Sequence, residues 1–234
     1  MQDPLGLTPT SWGPPTRFLE VLEEGPSQFP NVFNPWRDSD ERDRSPRKAM
    51  PRVRLDNVRA YVDARHRSAR VMLMGEAPSH RGCRFSGIAF CSEVELVHKK
   101  TLVARAPLAL TSRDAESKPQ RERSAAVIWD ELDRAGCAYE VVLWNAFPWH
   151  PHPAHSVMGN RKPRIPEVAD GRAALRALLA CFTQRLQIFA VGKVAEDALA
   201  RWEEFECAGY IRHPSQGGEA RFREGFRTLV AGRL

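Results

Sequence analysis

Four polar segments of this chain hold side chains that could do chemistry, and each follows a run of apolar residues. Their sequences are GEAPSH (residues 75–80), WNAFPWHPH (144–152), VGKVAED (191–197) and RHPSQGG (212–218). They include a carboxylate, Glu76, an amide, Asn145, and an imidazole, His213. Such groups can position water, hydrogen bond to the edge of a polar heterocycle and stabilise a developing anion. Singly, each also has a structural interpretation, as a helix cap or surface acid, a turn residue and a loop histidine.

The elements that must position these groups alternate between strands and helices. The apolar runs ARVMLMG, YEVVLWN, LQIFAVG and AGYIRHPS are interpreted as strands, and they lack the alternation of half-exposed strands. Between them, apolar residues recur at helical spacing, as in Ile128, Trp129 and Leu132. The pattern predicts a three-layer α/β/α fold with a central, mostly parallel four-stranded sheet. Because the carboxyl ends of parallel strands share one edge, we expect the four segments to form one site.

The first 50 residues differ in composition from the rest of the chain. They are rich in proline and charge, in GLTPTSWGPP and RDSDERDRSPRK, with one short helical candidate at Phe18, Val21 and Leu22. We interpret residues 1–50 as an arm over the domain, ordered in part by Phe33 and Trp36; a loose tail is the alternative. Residues 51–234 are predicted to form the α/β domain.

The overall charge is basic, and no segment is typical of a membrane protein. The 234 residues carry a formal net charge of +6 with a pI near 9.3, which is compatible with a nucleic-acid partner but is weak evidence alone. No apolar run approaches the ~20 residues of a membrane span. The N-terminus lacks the basic region and apolar core of a secretory signal. We therefore expect a cytoplasmic protein with no membrane partner.

Metal and cofactor sites are not expected. The five cysteines are scattered and form no Cys-x-x-Cys pair, so they are interpreted as reduced thiols. His150, His152 and His155 could be zinc ligands, but intervening prolines and the lack of a nearby acid or cysteine disfavour a closed site. We interpret them as surface histidines, and Phe147 and Trp149 as packing residues of the same segment.

Four short motifs, taken in order, resemble those of the uracil-DNA glycosylase superfamily. They are Gly75-Glu76-Ala77-Pro78, Gly87-Ile88-Ala89-Phe90, the strand-terminal Asn145 and His213-Pro214-Ser215. GEAP and the GNRKP of residues 159–163 are most similar to the thermophile-type branch, which commonly carries an iron–sulfur cluster. Because residues 1–82 and 144–167 contain no cysteine, a cluster held in that manner is not expected.

The resemblance implies a DNA-repair enzyme that flips a uracil nucleotide and hydrolyses its N-glycosidic bond with water. In that interpretation Glu76 holds the water and offsets charge on the sugar, while a neutral His213 donates a hydrogen bond to the departing base. Asn145 reads the uracil edge, Phe90 stacks on the base, and Ala77 lines the base pocket. No lysine falls in the motifs assigned to the reacting atoms, so a monofunctional enzyme is expected. A monomer that is associated with the nucleoid through DNA is also expected.

The remaining residues of these segments are assigned to DNA contacts. They are Pro78, Ser79, Gly192, Lys193, Arg212, Ser215, Gly217 and Arg221. Phe85 is an alternative to Phe90 as the stacking ring. Ser79 stands where the uracil-specific branch has a bulky ring, which would admit other modified pyrimidines. The leucine wedge of some members is missing, and Gln216 or Arg221 are the candidates to replace it.

Two other functions remain open at this stage. A noncatalytic nucleic-acid-binding protein that retains the glycosylase fold would explain the basic charge and the departures at Ser79 and Gln216. A metal-dependent hydrolase built on the histidines of residues 150–155 is the other. Equal binding of damaged and undamaged DNA would favour the noncatalytic protein. Loss of activity with EDTA would favour the metal-dependent hydrolase.

Overall fold

A computed structural model describes residues 16–45, 50–103 and 108–234, and six strands lie in these ranges. They are β1 (Val32–Phe33), β2 (Val71–Gly75), β3 (Val141–Asn145), β4 (His150–Pro151), β5 (Gln187–Val191) and β6 (Cys207–Ile211). Four of them form a parallel sheet in the order β3-β2-β5-β6, while β1 and β4 pair antiparallel. The predicted central sheet is confirmed.

The described residues contain eight α-helices. They are α1 (Thr16–Glu24), α2 (Met50–Asp63), α3 (Cys83–Ser86), α4 (Glu93–His98), α5 (Arg123–Ala135), α6 (Ile165–Leu179), α7 (Lys193–Arg201) and α8 (Glu219–Leu229), followed by a 3-10 turn at Ala231–Arg233. In α5 the stripe of Ile128, Trp129 and Leu132 is fully buried, as helical spacing requires of a face on the core. None of these helices is long and apolar enough to cross a membrane.

The sheet places the predicted segments at one edge. Gly75 pairs with Asn145, so β2 and β3 end at the same level, and Val191 pairs with Ile211 at the ends of β5 and β6. The strands β2 and β3 are buried along their whole length, which explains their continuous apolar runs. The residues that follow all four strands therefore emerge on the same side of the sheet.

Part of the predicted arm contributes to this core. Phe18 and Leu22 of α1 are fully buried, and α1 packs on α6. Trp36 is buried, and Phe33 pairs with His150 through β1 and β4. The helical candidate is thus confirmed. Residues 1–15 and 46–49 lie outside the described residues, and the division at residue 50 stays a prediction.

Candidate active site

A cavity of about 590 Å³ opens at the carboxyl-end edge of the sheet. The segments after β2, β5 and β6 all reach it, together with residues that the sequence did not indicate. Its lining comprises Glu76, Ala77, Pro78, Ser79, Phe90, Glu122, Ser124, Asn160, Arg161, Lys162, Val191, Gly192, Lys193, Val194, Arg212, His213, Ser215 and Gln216. Three of the four predicted segments therefore share one site, as the ends of parallel strands allow, whereas no residue of the segment 144–152 lines the cavity.

The Phe90 ring forms one wall of the cavity. Its backbone has a φ of 49°, in the left-handed region, and its ring lies over Gly75. A Cβ atom added to Gly75 would lie 2.1 Å from Phe90 Cζ, so only glycine allows this approach. Phe85 is buried elsewhere, with its ring 4.4 Å from the Arg84 guanidinium. Of the two phenylalanines, Phe90 is therefore the one that a flipped base could reach.

Asn145 is not among the residues that line the cavity, but its amide lies near the ring of Phe90. It is the last residue of β3 and only 2% exposed. Its Oδ1 lies 3.2 Å from the position that a Cβ on Gly75 would occupy, which places the amide beside the Phe90 ring. Within the described chain, no hydrogen bond engages this amide, so its donor and acceptor remain for a ligand.

Glu76 directly follows β2 and is half-buried. Its backbone is held by two hydrogen bonds. The Phe147 N–H donates to the Glu76 carbonyl at 3.0 Å, and the Ala146 N–H donates to the Gly75 carbonyl at 2.8 Å. Burial raises the pKa of its carboxyl, and the positive charge of Lys162 lowers it in part. A partly desolvated carboxylate on a backbone held in this way can hold a water molecule or accept a proton from it.

His213 has a defined tautomer. Its Nδ1 accepts the Ser215 backbone N–H at 3.1 Å and lies 2.8 Å from Ser215 Oγ. In the neutral ring the proton must then be on Nε2. Burial and the neighbouring Arg212 lower the pKa of His213 to about 4, so the ring is neutral at physiological pH. Its centroid lies 5.8 Å from that of Phe90.

Gly192 sets the position of the imidazole. It has a φ of 91°, and a Cβ there would lie 3.2 Å from His213 Cβ. A residue with a side chain at position 192 would therefore have a strained backbone, and its Cβ would crowd His213. Gly192 thus acts on the site through packing, in addition to any contact with DNA.

The predicted DNA-binding residues divide into two groups. Those that line the cavity are Pro78, Ser79, Gly192, Lys193, Arg212 and Ser215, whereas Gly217 and Arg221 do not line it. Lys193 forms ion pairs with Glu196 at 2.7 Å and Asp197 at 3.4 Å, so its charge is partly offset within α7. Of the two wedge candidates, Gln216 lines the cavity with a φ of 51°. The DNA contacts themselves stay predictions.

Glu122 is a cavity residue that the sequence reasoning missed. It precedes α5, and a Cβ on Gly82 would lie 1.8 Å from its Oε2, so the Glu122 carboxylate packs against the backbone of Gly82. Burial raises the pKa of Glu122 to about 7; the nearby Ser79 hydroxyl lowers it in part, and Glu95 raises it. Ser79 Oγ is buried and lies close to the Glu122 carboxylate. Glu122 stands in a charged run, RERS, that looks like an ordinary loop, so no sequence signal marks it.

Lys162 is the second cavity residue that was missed. It lies in GNRKP, which the sequence analysis treated only as part of a family resemblance. The expectation of a monofunctional enzyme depended on the absence of lysine from the sequence motifs assigned to the reacting atoms. The structure adds Lys162 to the cavity, close enough for its charge to act on Glu76.

The histidines after β3 are not all at the surface. His150 is fully buried, its Nε2 donates to the Gly159 carbonyl at 2.9 Å, and burial lowers its pKa to about 3. The expectation of a surface residue is wrong for His150, because it lies in β4 and pairs with Phe33 of β1. In residues 16–45, 50–103 and 108–234, no group of three His, Cys, Asp or Glu could hold a metal ion. Phe147 and Trp149 are buried and in contact, which confirms their packing role.

Comparison with known proteins identifies the family. The uracil DNA glycosylase superfamily matches residues 63–229 of the chain. The fold is similar to the crystal structure of wild-type SMUG2 from Pedobacter heparinus, with a TM-score of 0.57 and 15% sequence identity over 91% of this chain and 97% of that one. No curated protein sequence matches the chain. The family supports DNA glycosylase activity, a hydrolase reaction on DNA. This chain belongs to the uracil DNA glycosylase superfamily.

Proposed function

We propose that this protein is a monofunctional DNA-repair glycosylase that hydrolyses the N-glycosidic bond of uracil in DNA. The observation that carries the proposal is the presence of Glu76 and neutral His213 in one cavity, with the Phe90 ring against Gly75 and His213. The proposal needs no metal or cofactor, and it describes a cytoplasmic monomer acting on uracil-containing DNA.

His213 stabilises the departing base. Cleavage of the N-glycosidic bond places positive charge on the sugar and negative charge on the uracil, as in other glycosyl hydrolyses. The Nε2–H donates a hydrogen bond to the developing anion, while Ser215 holds Nδ1 from behind. A neutral donor suits this role because it leaves the proton on the ring and needs no proton transfer.

Glu76 acts on the sugar side of the same bond. Its carboxylate holds the attacking water and offsets the positive charge that develops on the sugar. The role requires the ionised form, and burial opposes ionisation while Lys162 supports it. The balance between the two therefore determines the fraction of active enzyme at mildly acidic pH.

Asn145 and Phe90 recognise the base. A stacked duplex hides the glycosidic bond, so the nucleotide must be flipped out or presented in single-stranded DNA. The Asn145 amide can accept from uracil N3–H and donate to O4, whereas cytosine presents the opposite order. Stacking on Phe90 contributes about 1–3 kcal/mol in comparable nucleic-acid sites.

The substrate range extends to other modified pyrimidines. Ser79 is small and lies beside Glu122, so a bulky group does not close this part of the cavity. A polar substituent could hydrogen bond to the Ser79 hydroxyl, which lines the cavity. A methyl group offers no such hydrogen bond, so thymine is expected to be a poorer substrate than a pyrimidine with a polar group at C5.

The proposal is tested with oligonucleotides that carry one uracil each. Excess purified protein should create abasic sites that alkali converts to strand breaks, and Glu76→Gln should reduce the single-turnover rate at least about 100-fold. Glu224→Gln is the matched control, because Glu224 is exposed on α8 and does not line the cavity. Strands that stay intact after alkali with the wild-type protein, together with equal affinity for uracil-containing and undamaged DNA, would favour the noncatalytic alternative.

A further inference from the structure

Residues 159–163, here called the clamp segment, are held in place from several sides. The Asn160 Oδ1 accepts the His80 backbone N–H at 2.8 Å and lies 3.0 Å from His80 Nδ1, which joins the clamp segment to the loop after β2. Arg161 forms two hydrogen bonds with the buried Glu167, at 2.6 and 2.7 Å. Pro163 is buried. Lys162 is thus held between fixed neighbours and faces the cavity.

The Lys162 ammonium is uncommitted. Its side chain is exposed, and it forms no ion pair with any residue of the described ranges. Two other cations at the cavity are paired with acids: Arg161 with Glu167, and Lys193 with Glu196 and Asp197. A rigid segment that presents an unpaired cation beside a half-buried carboxylate is an arrangement suited to controlling the charge of that carboxylate.

Binding of DNA would make this control necessary. A nucleic acid over the cavity removes water from Glu76 and brings phosphate charges close to it, and both effects favour the protonated, inactive carboxyl. We propose that Lys162 is a positioning residue, whose ammonium keeps Glu76 ionised when DNA closes the cavity. This inference rests on the proposed function, because it gives Lys162 a role in the same reaction.

The other titratable and charged groups at the cavity cannot replace Lys162. They are Glu122, Arg161, Lys193, Arg212 and His213. Arg161 and Lys193 are paired with acids, and His213 is neutral because its pKa is lowered to about 4. Arg212 forms no ion pair in the described ranges, but its charge acts on His213 and not on Glu76, and the charge of Glu122 has the wrong sign. Lys162 is the one described cation whose charge lowers the pKa of Glu76.

The first test observes Glu76 directly and does not depend on activity. Carbon-13 NMR of the glutamate side-chain carboxyls, assigned with Glu76→Gln, is recorded against pH for the wild-type protein and three variants. Lys162→Met should raise the titration midpoint of Glu76 by about 0.5 pH units or more, and Lys162→Arg should restore it. Lys100→Met removes an exposed lysine away from the cavity and should leave the midpoint unchanged. An unchanged midpoint in Lys162→Met would overturn the inference.

The second test measures the reaction. Single-turnover rates on a uracil-containing oligonucleotide should show the acid limb of Lys162→Met displaced to higher pH, with the plateau at alkaline pH retained within about threefold, because Glu76 is ionised there in both proteins. If the rate of Lys162→Met fell by the same factor at every pH, Lys162 would act by binding a DNA phosphate, and the inference would be overturned. If the NMR midpoint shifts but the wild-type protein cleaves no uracil, the proposed function fails while the Glu76–Lys162 coupling stands.

Discussion

The backbone N–H of Ser215 donates to Nδ1 of His213 at 3.1 Å, and this one contact determines which ring nitrogen carries the proton. Because Nδ1 is an acceptor, the neutral imidazole is protonated at Nε2. The residue two positions later in the same loop therefore sets the hydrogen-bonding character of the catalytic candidate. His-Pro-Ser is thus a structural unit as well as a sequence motif.

The His213 tautomer gives the first prediction. Nitrogen-15 NMR of the histidine rings should show His213 neutral and protonated at Nε2 at about pH 6, because burial and Arg212 lower its pKa to about 4. His213→Asn, which removes the ring, identifies the signal. A midpoint near the ordinary value of 6.5, or a proton on Nδ1, would be incompatible with the proposed role.

Gly75 provides a prediction about the stacking wall. Gly75→Ala would place a Cβ 2.1 Å from Phe90 Cζ, so the ring must move or the strand must shift. We expect the free energy of unfolding to fall by roughly 1–3 kcal/mol and the cleavage rate to fall with it. Gly232→Ala is the control, since nothing lies within 4 Å of an added Cβ there. Denaturant titration that found the two variants equally stable would show that Phe90 is not packed as described.

Glu122 gives a prediction about stability and pH. Its pKa in the folded protein, about 7, is above the ordinary 4.5, so ionisation destabilises the folded state as pH rises through this window. Glu122→Gln removes this cost. Relative to the wild-type protein, the variant should gain up to about 3 kcal/mol in free energy of unfolding between pH 4.5 and pH 8. A difference between the two proteins that does not change with pH would show that Glu122 ionises normally.

Ser79 gives a prediction about substrate range. In Ser79→Tyr a ring would occupy the space beside Glu122, so activity on pyrimidines with a polar substituent at C5 should fall at least about tenfold relative to activity on uracil. Ser79→Ala keeps the space but removes the hydroxyl, and it should lower only the preference for the polar substituent over a methyl group. If Ser79→Tyr reduced all substrates equally, the side chain would not face the base.

The sequence predicted the parts of the site that depend on strand ends. Glu76, Asn145, Gly192 and His213 follow directly from four apolar runs, and a parallel sheet brings its carboxyl ends together whatever the loops contain. The short strands β1 and β4 were not predicted, because two-residue pairs have no periodicity. Their pairing buries His150, which the sequence analysis placed at the surface.

Glu122 and Lys162 could not be found in this way. Neither follows a strand of the central sheet, and each stands among other charged residues, in RERS and GNRKP. Their positions depend on tertiary contacts of the surrounding chain. Lys162 reaches the cavity because Asn160 contacts His80 and Arg161 pairs with Glu167. Such contacts have no signature in composition or spacing.

The most direct test of the account is the crystal structure of the Glu76→Gln variant bound to uracil-containing DNA. We predict the uracil flipped out of the helix, stacked on Phe90, with its O2 at about 2.6–3.2 Å from His213 Nε2 and its C1′ facing residue 76. A uracil that remained stacked in the DNA, or that bound away from the cavity of Glu76 and His213, would contradict the account.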